Sequence, residues 1–68
     1  MKHPFKHLRK LNSETQSDLA RKVGTTGAII SHYETGFKRP GKLIVEKISK
    51  HYGLKLKELQ NSLENWES

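Results

Sequence analysis

The side chains able to do acid–base or metal chemistry in this 68-residue sequence are few: four histidines, seven acids and no cysteine. Catalysis needs such groups at defined spacings, as a nucleophile beside its base, a carboxylate pair, or a glycine-rich loop ahead of a lysine. None of these patterns occurs, so the sequence reads as non-enzymatic and asks for no cofactor. His3 and His7 stand four apart, a spacing that brings two imidazoles to one side of a helix, but no third ligand of the right type lies near them. They read as solvated or phosphate-facing residues rather than as a metal site. The chemistry that remains is recognition. Thirteen Lys and Arg against seven Asp and Glu give a net charge of +6 and a pI near 9.9, which suits a polyanion. Lys38, Arg39 and Lys42 cluster around Pro40 and Gly41 just after a short segment, residues 27–35, that mixes small side chains with hydrogen-bonding ones.

Those groups need a scaffold, and the stretch TQSDLARKVGTTGAIISHYETG, residues 15–36, supplies it. Thr15 suits an N-cap and Asp18 follows three residues on, the spacing of a capping box. Leu19, Ala20 and Val23 make the apolar stripe of this helix, and Gly24 ends it where a positive φ is wanted. Thr25 and Thr26 offer a hydroxyl to cap a second helix running from Gly27 to about Thr35. Ile30 and Tyr33 face the first helix, which leaves Gly27, Ala28, Ser31 and His32 outside, and Gly36 stops it. Two capped helices about a short glycine turn make a helix-turn-helix pattern, although by spacing alone an ordinary helical hairpin fits as well.

The flanks add three helices. Pro4 suits a first helical turn, with Phe5, Leu8 and Leu11 as one apolar face. Leu43, Ile44, Val45, Ile48 and Tyr52 repeat helically up to Gly53, with Val45, Ile48 and Tyr52 inward and Ser49 tucked among them. His51, near the end of that helix, reads as solvated. Leu56, Leu59, Leu63 and Trp66, spaced three, four and three, form a last seam. Charge sums to +9 over residues 1–57 and −3 over residues 58–68, so the acidic end should point away from a polyanion. The expected fold class is all-α: a compact bundle of about five short helices containing a helix-turn-helix. One domain should span residues 1–68, with residues 60–68 as a C-terminal helical extension. A chain this short buries only ~60% of its unfolded surface, too little for a large enclosed catalytic pocket. No apolar run approaches the ~20 residues of a membrane span, and the first twelve residues lack an apolar signal core, so the cytoplasm is the expected compartment.

Thr15, Gln16, Leu19, Ala20, Gly24, Thr25, Thr26, Ile30, Ser31, Glu34, Gly36 and Pro40 stand in the register T-Q-x-x-L-A-x-x-x-G-(V/T)-(S/T)-x-x-x-I-S-x-x-E-x-G-x-x-x-P. In this the sequence resembles the Cro and phage-repressor family of helix-turn-helix proteins, over about residues 5–60. The resemblance implies a sequence-specific regulator of double-stranded DNA, most simply a Cro-like repressor that occupies a palindromic operator as a homodimer. It implies an internal ion pair between Arg9 and Glu34, and a phosphate contact at Gln16 that also braces the recognition helix. Lys55 departs from the family, which more usually carries a capping serine there.

Within that frame the backbone contacts are expected from Gln16, Thr26, Gly27, Ser31, Thr35, Lys38, Arg39 and Lys42. Gly27 stands where relatives place a long side chain and offers only its N–H, so base reading falls on Ala28, Ile29 and His32. Ala28, with Ile29, matches the C5-methyl of thymine, and His32 can donate to guanine N7 or O6. Leu59, Leu63 and Trp66 are the expected dimer contact. A second reading from another class is an antitoxin-type interaction module whose C-terminal seam covers a protein partner.

Overall fold

Punctuating residues set the helix boundaries. In a computed structural model that describes residues 2–67, the order is α1 (Pro4–Leu11), α2 (Gln16–Val23), α3 (Gly27–Glu34), α4 (Lys42–Tyr52) and α5 (Leu56–Glu67), with no strand among the described residues. Thr15 caps α2 through a reciprocal box: its hydroxyl accepts the Asp18 N–H and the Asp18 carboxylate accepts the Thr15 N–H, each at 3.0 Å. Gly24, at φ +77°, turns the chain out of α2, and Thr26 caps α3 by accepting the Ile29 N–H at 3.3 Å. At α5 no capping side chain stands before the helix. The Lys55 N–H donates instead to the Glu58 carboxylate at 3.3 Å, which is half of a capping box.

Each helix sends one fully buried large side chain to a common core: Phe5, Leu19, Ile30, Ile48 and Leu59. Truncating any of them to alanine costs ~2–5 kcal/mol. Packing is most extensive between α2 and α3, while α1 bridges α3 and α5, and α4 lies against α2 and α5. Ser49 is buried among these apolar residues because its hydroxyl donates to the Glu46 carbonyl at 2.8 Å. None of the described helices is long and apolar enough to cross a membrane.

Four expectations from the sequence are corrected. Leu11 is exposed: six residues past Phe5 it lies about 120° around the helix from it, off the inward face. His3 is buried, not solvated. It caps α1 with its ring, Nδ1 accepting the Phe5 N–H at 3.1 Å, and it stands edge-on to Phe5 and to Trp66 with centroids 4.8 and 4.6 Å away. His51 is half-buried, with Nε2 2.7 Å from the Glu14 carboxylate, which also accepts the Tyr52 hydroxyl at 2.6 Å. The acidic end of α5 does not turn away from the basic loop: Glu67 pairs with Arg39.

The expected dimer seam is also spent. Leu59 and Leu63 are in the core of their own chain, and Trp66 is half-buried against His3 and Gly36. At Gly36, where φ is +82°, a Cβ would come within 3.0 Å of the indole, so the glycine is needed for both its backbone and its lack of bulk.

Candidate nucleic-acid interface

The position of α3 is fixed at both ends. At its start, a Cβ on Gly27 would meet the Ser17 hydroxyl oxygen at 3.0 Å, so the missing side chain lets α3 close against the beginning of α2. At its end, Glu34 receives Arg9 from α1 in a bidentate pair, Nε to Oε2 at 2.6 Å and Nη2 to Oε1 at 2.9 Å. The Gln16 amide adds a third donor to Oε1 at 3.1 Å, and the remaining Arg9 nitrogen, Nη1, donates to the Glu14 carbonyl at 2.9 Å. Burial pushes the Glu34 carboxyl up, but the bonds from Arg9 and Gln16 outweigh it and hold the group below the usual carboxylate range. The Glu34 bond raises the Arg9 guanidinium in turn, against desolvation. Gln16 therefore braces α3 with one of its two amide N–H donors.

Since Ile30, Tyr33 and Glu34 face inward, the opposite side of α3 carries Ala28, His32 and Thr35 at i, i+4 and i+7. Ala28 and Thr35 are exposed, and His32, Ser31 and Gly27 are partly so. Ile29 spends much of its side chain on the core and offers less outward than Ala28 does. Thr26 is exposed and occupied as a cap, and the Thr35 hydroxyl donates to the His32 carbonyl at 3.3 Å. The His32 ring keeps Nδ1 buried without a hydrogen-bond partner and packs on Phe37.

Beyond α3 the exposed cations Lys38, Arg39 and Lys42 line the loop and the first turn of α4. Arg39 already holds the Glu67 carboxylate bidentately, Nε at 3.1 Å and Nη2 at 2.7 Å. Phe37 and Glu67 are the residues of this surface that the sequence reading passed over. Phe37 was detectable as an apolar residue in a cationic loop with no periodic partner, whereas nothing local to Glu67 points to Arg39. Among the described residues no group of three His, Asp or Glu comes together to hold a metal.

Two short capped helices packed across a three-residue turn, the second braced at both ends with one long side outward, define a helix-turn-helix domain. The chain belongs to the Cro/C1-type helix-turn-helix family, whose model, described as "Helix-turn-helix", matches residues 5–59. It is 36% identical over 59 residues to an uncharacterized HTH-type transcriptional regulator of Methanocaldococcus jannaschii, covering 87% of this chain and 89% of that protein. It is 44% identical over 39 residues to a second uncharacterized HTH-type transcriptional regulator, from Archaeoglobus fulgidus, covering 57% of this chain and 17% of that larger protein. No solved structure matches the chain.

Proposed function

We propose that this protein is a sequence-specific double-stranded DNA-binding transcriptional regulator, acting as a Cro-like repressor that occupies a palindromic operator as a dimer. The observation that carries this reading is the outward stripe of α3, Ala28, His32 and Thr35, with Lys38, Arg39 and Lys42 exposed beside its C-terminal end. A braced helix with a narrow, small-residue outer face can enter the major groove, and flanking cations can meet the phosphates on either side. His32 donates to guanine N7 or O6, and the Ala28 methyl meets a thymine methyl. Lys38, Lys42, Ser31, Thr35 and the α3 N-terminus at Thr26 and Gly27 serve the backbone, as does Arg39 once released by Glu67.

One recognition helix reads only a few base pairs, so discrimination calls for two copies with half-sites one turn, ~34 Å, apart. Pairing has to use surface other than Leu59 and Leu63, which are buried. Selection of bound DNA from a random pool tests class and symmetry together. A two-fold-symmetric consensus supports the dimer, and His32→Ala should then erase preference at one base of each half-site. Uniformly weaker binding with the preference intact would reassign His32 to the backbone. Operator binding by the chain without any protein partner separates this reading from an antitoxin-type module.

A further inference from the structure

Phe37 is 74% exposed on a loop whose next two residues are cations. Exposure alone would mean little, since single surface hydrophobes are commonplace. Its contact gives it meaning: the phenyl ring packs on the His32 imidazole, centroids 4.9 Å apart and planes inclined by 56°. The loop is also tied back to the same residue, because the Lys38 N–H donates to the His32 carbonyl at 3.1 Å. Phe37 therefore continues the outward stripe of α3 by one aromatic ring and immediately precedes Lys38.

The imidazole beneath it turns one edge inward. Its Nδ1 is buried and has no hydrogen-bond partner. In the neutral ring a proton there would be a buried donor without an acceptor, a costlier arrangement than a bare lone pair, which favours the tautomer with its proton on Nε2. Nε2 is then the donor left to address a base, and Phe37, lying against the ring, opposes the rotation that would exchange the buried and outward edges.

We propose that Phe37 is a positioning residue of the DNA interface: it holds the His32 imidazole with Nε2–H directed at the base, and bound DNA covers its exposed ring. This rests on the reading of α3 as the recognition helix. A second copy of the chain is the competing cover for the ring. DNA is favoured because Phe37 touches the residue assigned to base reading and is followed by Lys38 and Arg39, whose charge suits phosphates.

The test is a half-site library read with the wild type, Phe37→Ala, Phe37→Tyr, His32→Ala and the Phe37→Ala/His32→Ala double variant, with self-association followed by sedimentation. Phe37→Ala should lower discrimination at the base that His32 reads by about fivefold to tenfold, within the range of one good base contact. Phe37→Tyr should restore it, and the double variant should discriminate no worse at that base than His32→Ala. The salt slope should stay as in the wild type, because no phosphate is neutralised by a phenyl ring. Because the ring is exposed, the unfolding midpoint should not move, which separates positioning from folding. Full base preference in Phe37→Ala overturns the proposal, and so does a loss of self-association with preference intact, which would give the ring to a second copy. If His32→Ala itself leaves every preference unchanged, the assignment of His32 as reader fails with it; if only Phe37→Ala is silent, that assignment survives and this inference falls alone.

Discussion

Two arginine–carboxylate pairs of the same kind stand in this small domain, and their surroundings give them opposite roles. Arg9–Glu34 and Arg39–Glu67 are both bidentate, with contacts of 2.6 and 2.9 Å in the first and 3.1 and 2.7 Å in the second. Their side chains are 7% and 3% exposed in the first pair, 80% and 31% in the second. In the buried pair each charge depends on the other, because water is not there to replace it. In the exposed pair water and salt already compete, and such contacts are worth ~0–1 kcal/mol. Geometry alone does not distinguish a structural tie from an exchangeable one; burial does. The first pair fixes α3, and the second leaves a cation that another anion can take.

The sharpest way to break that contrast is Arg9→Ala, which strands Glu34 and its carboxylate in the interior. It should cost about 3 kcal/mol, a fall in melting temperature on the order of 15 °C for a domain of this size. Adding Glu34→Ala should recover part of the loss, since no unpaired charge then remains. Base preference, measured where the variant is folded, should not change. A denaturation midpoint equal to that of the wild type would show that the buried pair is no stronger than the exposed one.

Acid should act on the buried side of the molecule in two steps. Burial holds the His3 imidazole below its ordinary value of 6.5, with the Glu34 and Glu67 charges opposing. Its Nδ1 must also stay unprotonated to accept the Phe5 N–H. The unfolded chain takes up that proton first, so stability falls as pH drops below about 6.5. The second step belongs to two carboxyls. Glu34 is held low by Arg9 and Gln16 against burial, and Glu14 by Tyr52 and His51 against burial. Their contribution is complete above the ordinary value of 4.5 and is lost as pH falls through the lower folded values. Urea midpoints across this range should decline in both windows. His3→Asn, which keeps an acceptor at the cap, should flatten the upper one and leave the lower intact. An unchanged upper slope in that variant would mean that His3 is not the titrating group.

The helix-turn-helix was legible because its determinants are local. The Thr15–Asp18 box, the turn at Gly24 and the Thr26 cap each act within three or four residues, and the structure shows all of them in place. Arg9–Glu34 spans 25 residues and came only from a family register. The contacts missed entirely are long-range: Glu14 to His51 and Tyr52 across 37 and 38 residues, and Arg39 to Glu67 across 28. Periodicity placed Leu59, Leu63 and Trp66 on one side of α5 without saying what covers that side. The answer is the chain's own core and His3, whose burial no local pattern reports.

Two substitutions probe the exposed side, the second of them acting on the exchangeable pair itself. Lys38→Ala should weaken binding to all sequences alike and reduce the magnitude of the salt slope by ~0.9, the signature of one lost phosphate contact. Glu67→Gln should have the smallest effect and the opposite sign. Stability should move by less than about 1 kcal/mol, as for other exposed pairs. Freed of its carboxylate, Arg39 can serve a phosphate, so affinity should rise by a few-fold at low salt and the slope steepen by up to ~0.9. Two mechanisms could give a rise in affinity, because removing any acid near DNA lowers repulsion. Repeating Glu67→Gln in an Arg39→Ala background divides them: release of Arg39 predicts that the gain disappears there, and a general field effect predicts that it persists. Weaker binding by Glu67→Gln would instead mean that the carboxylate aims Arg39 at the phosphate, which makes the exposed pair structural after all.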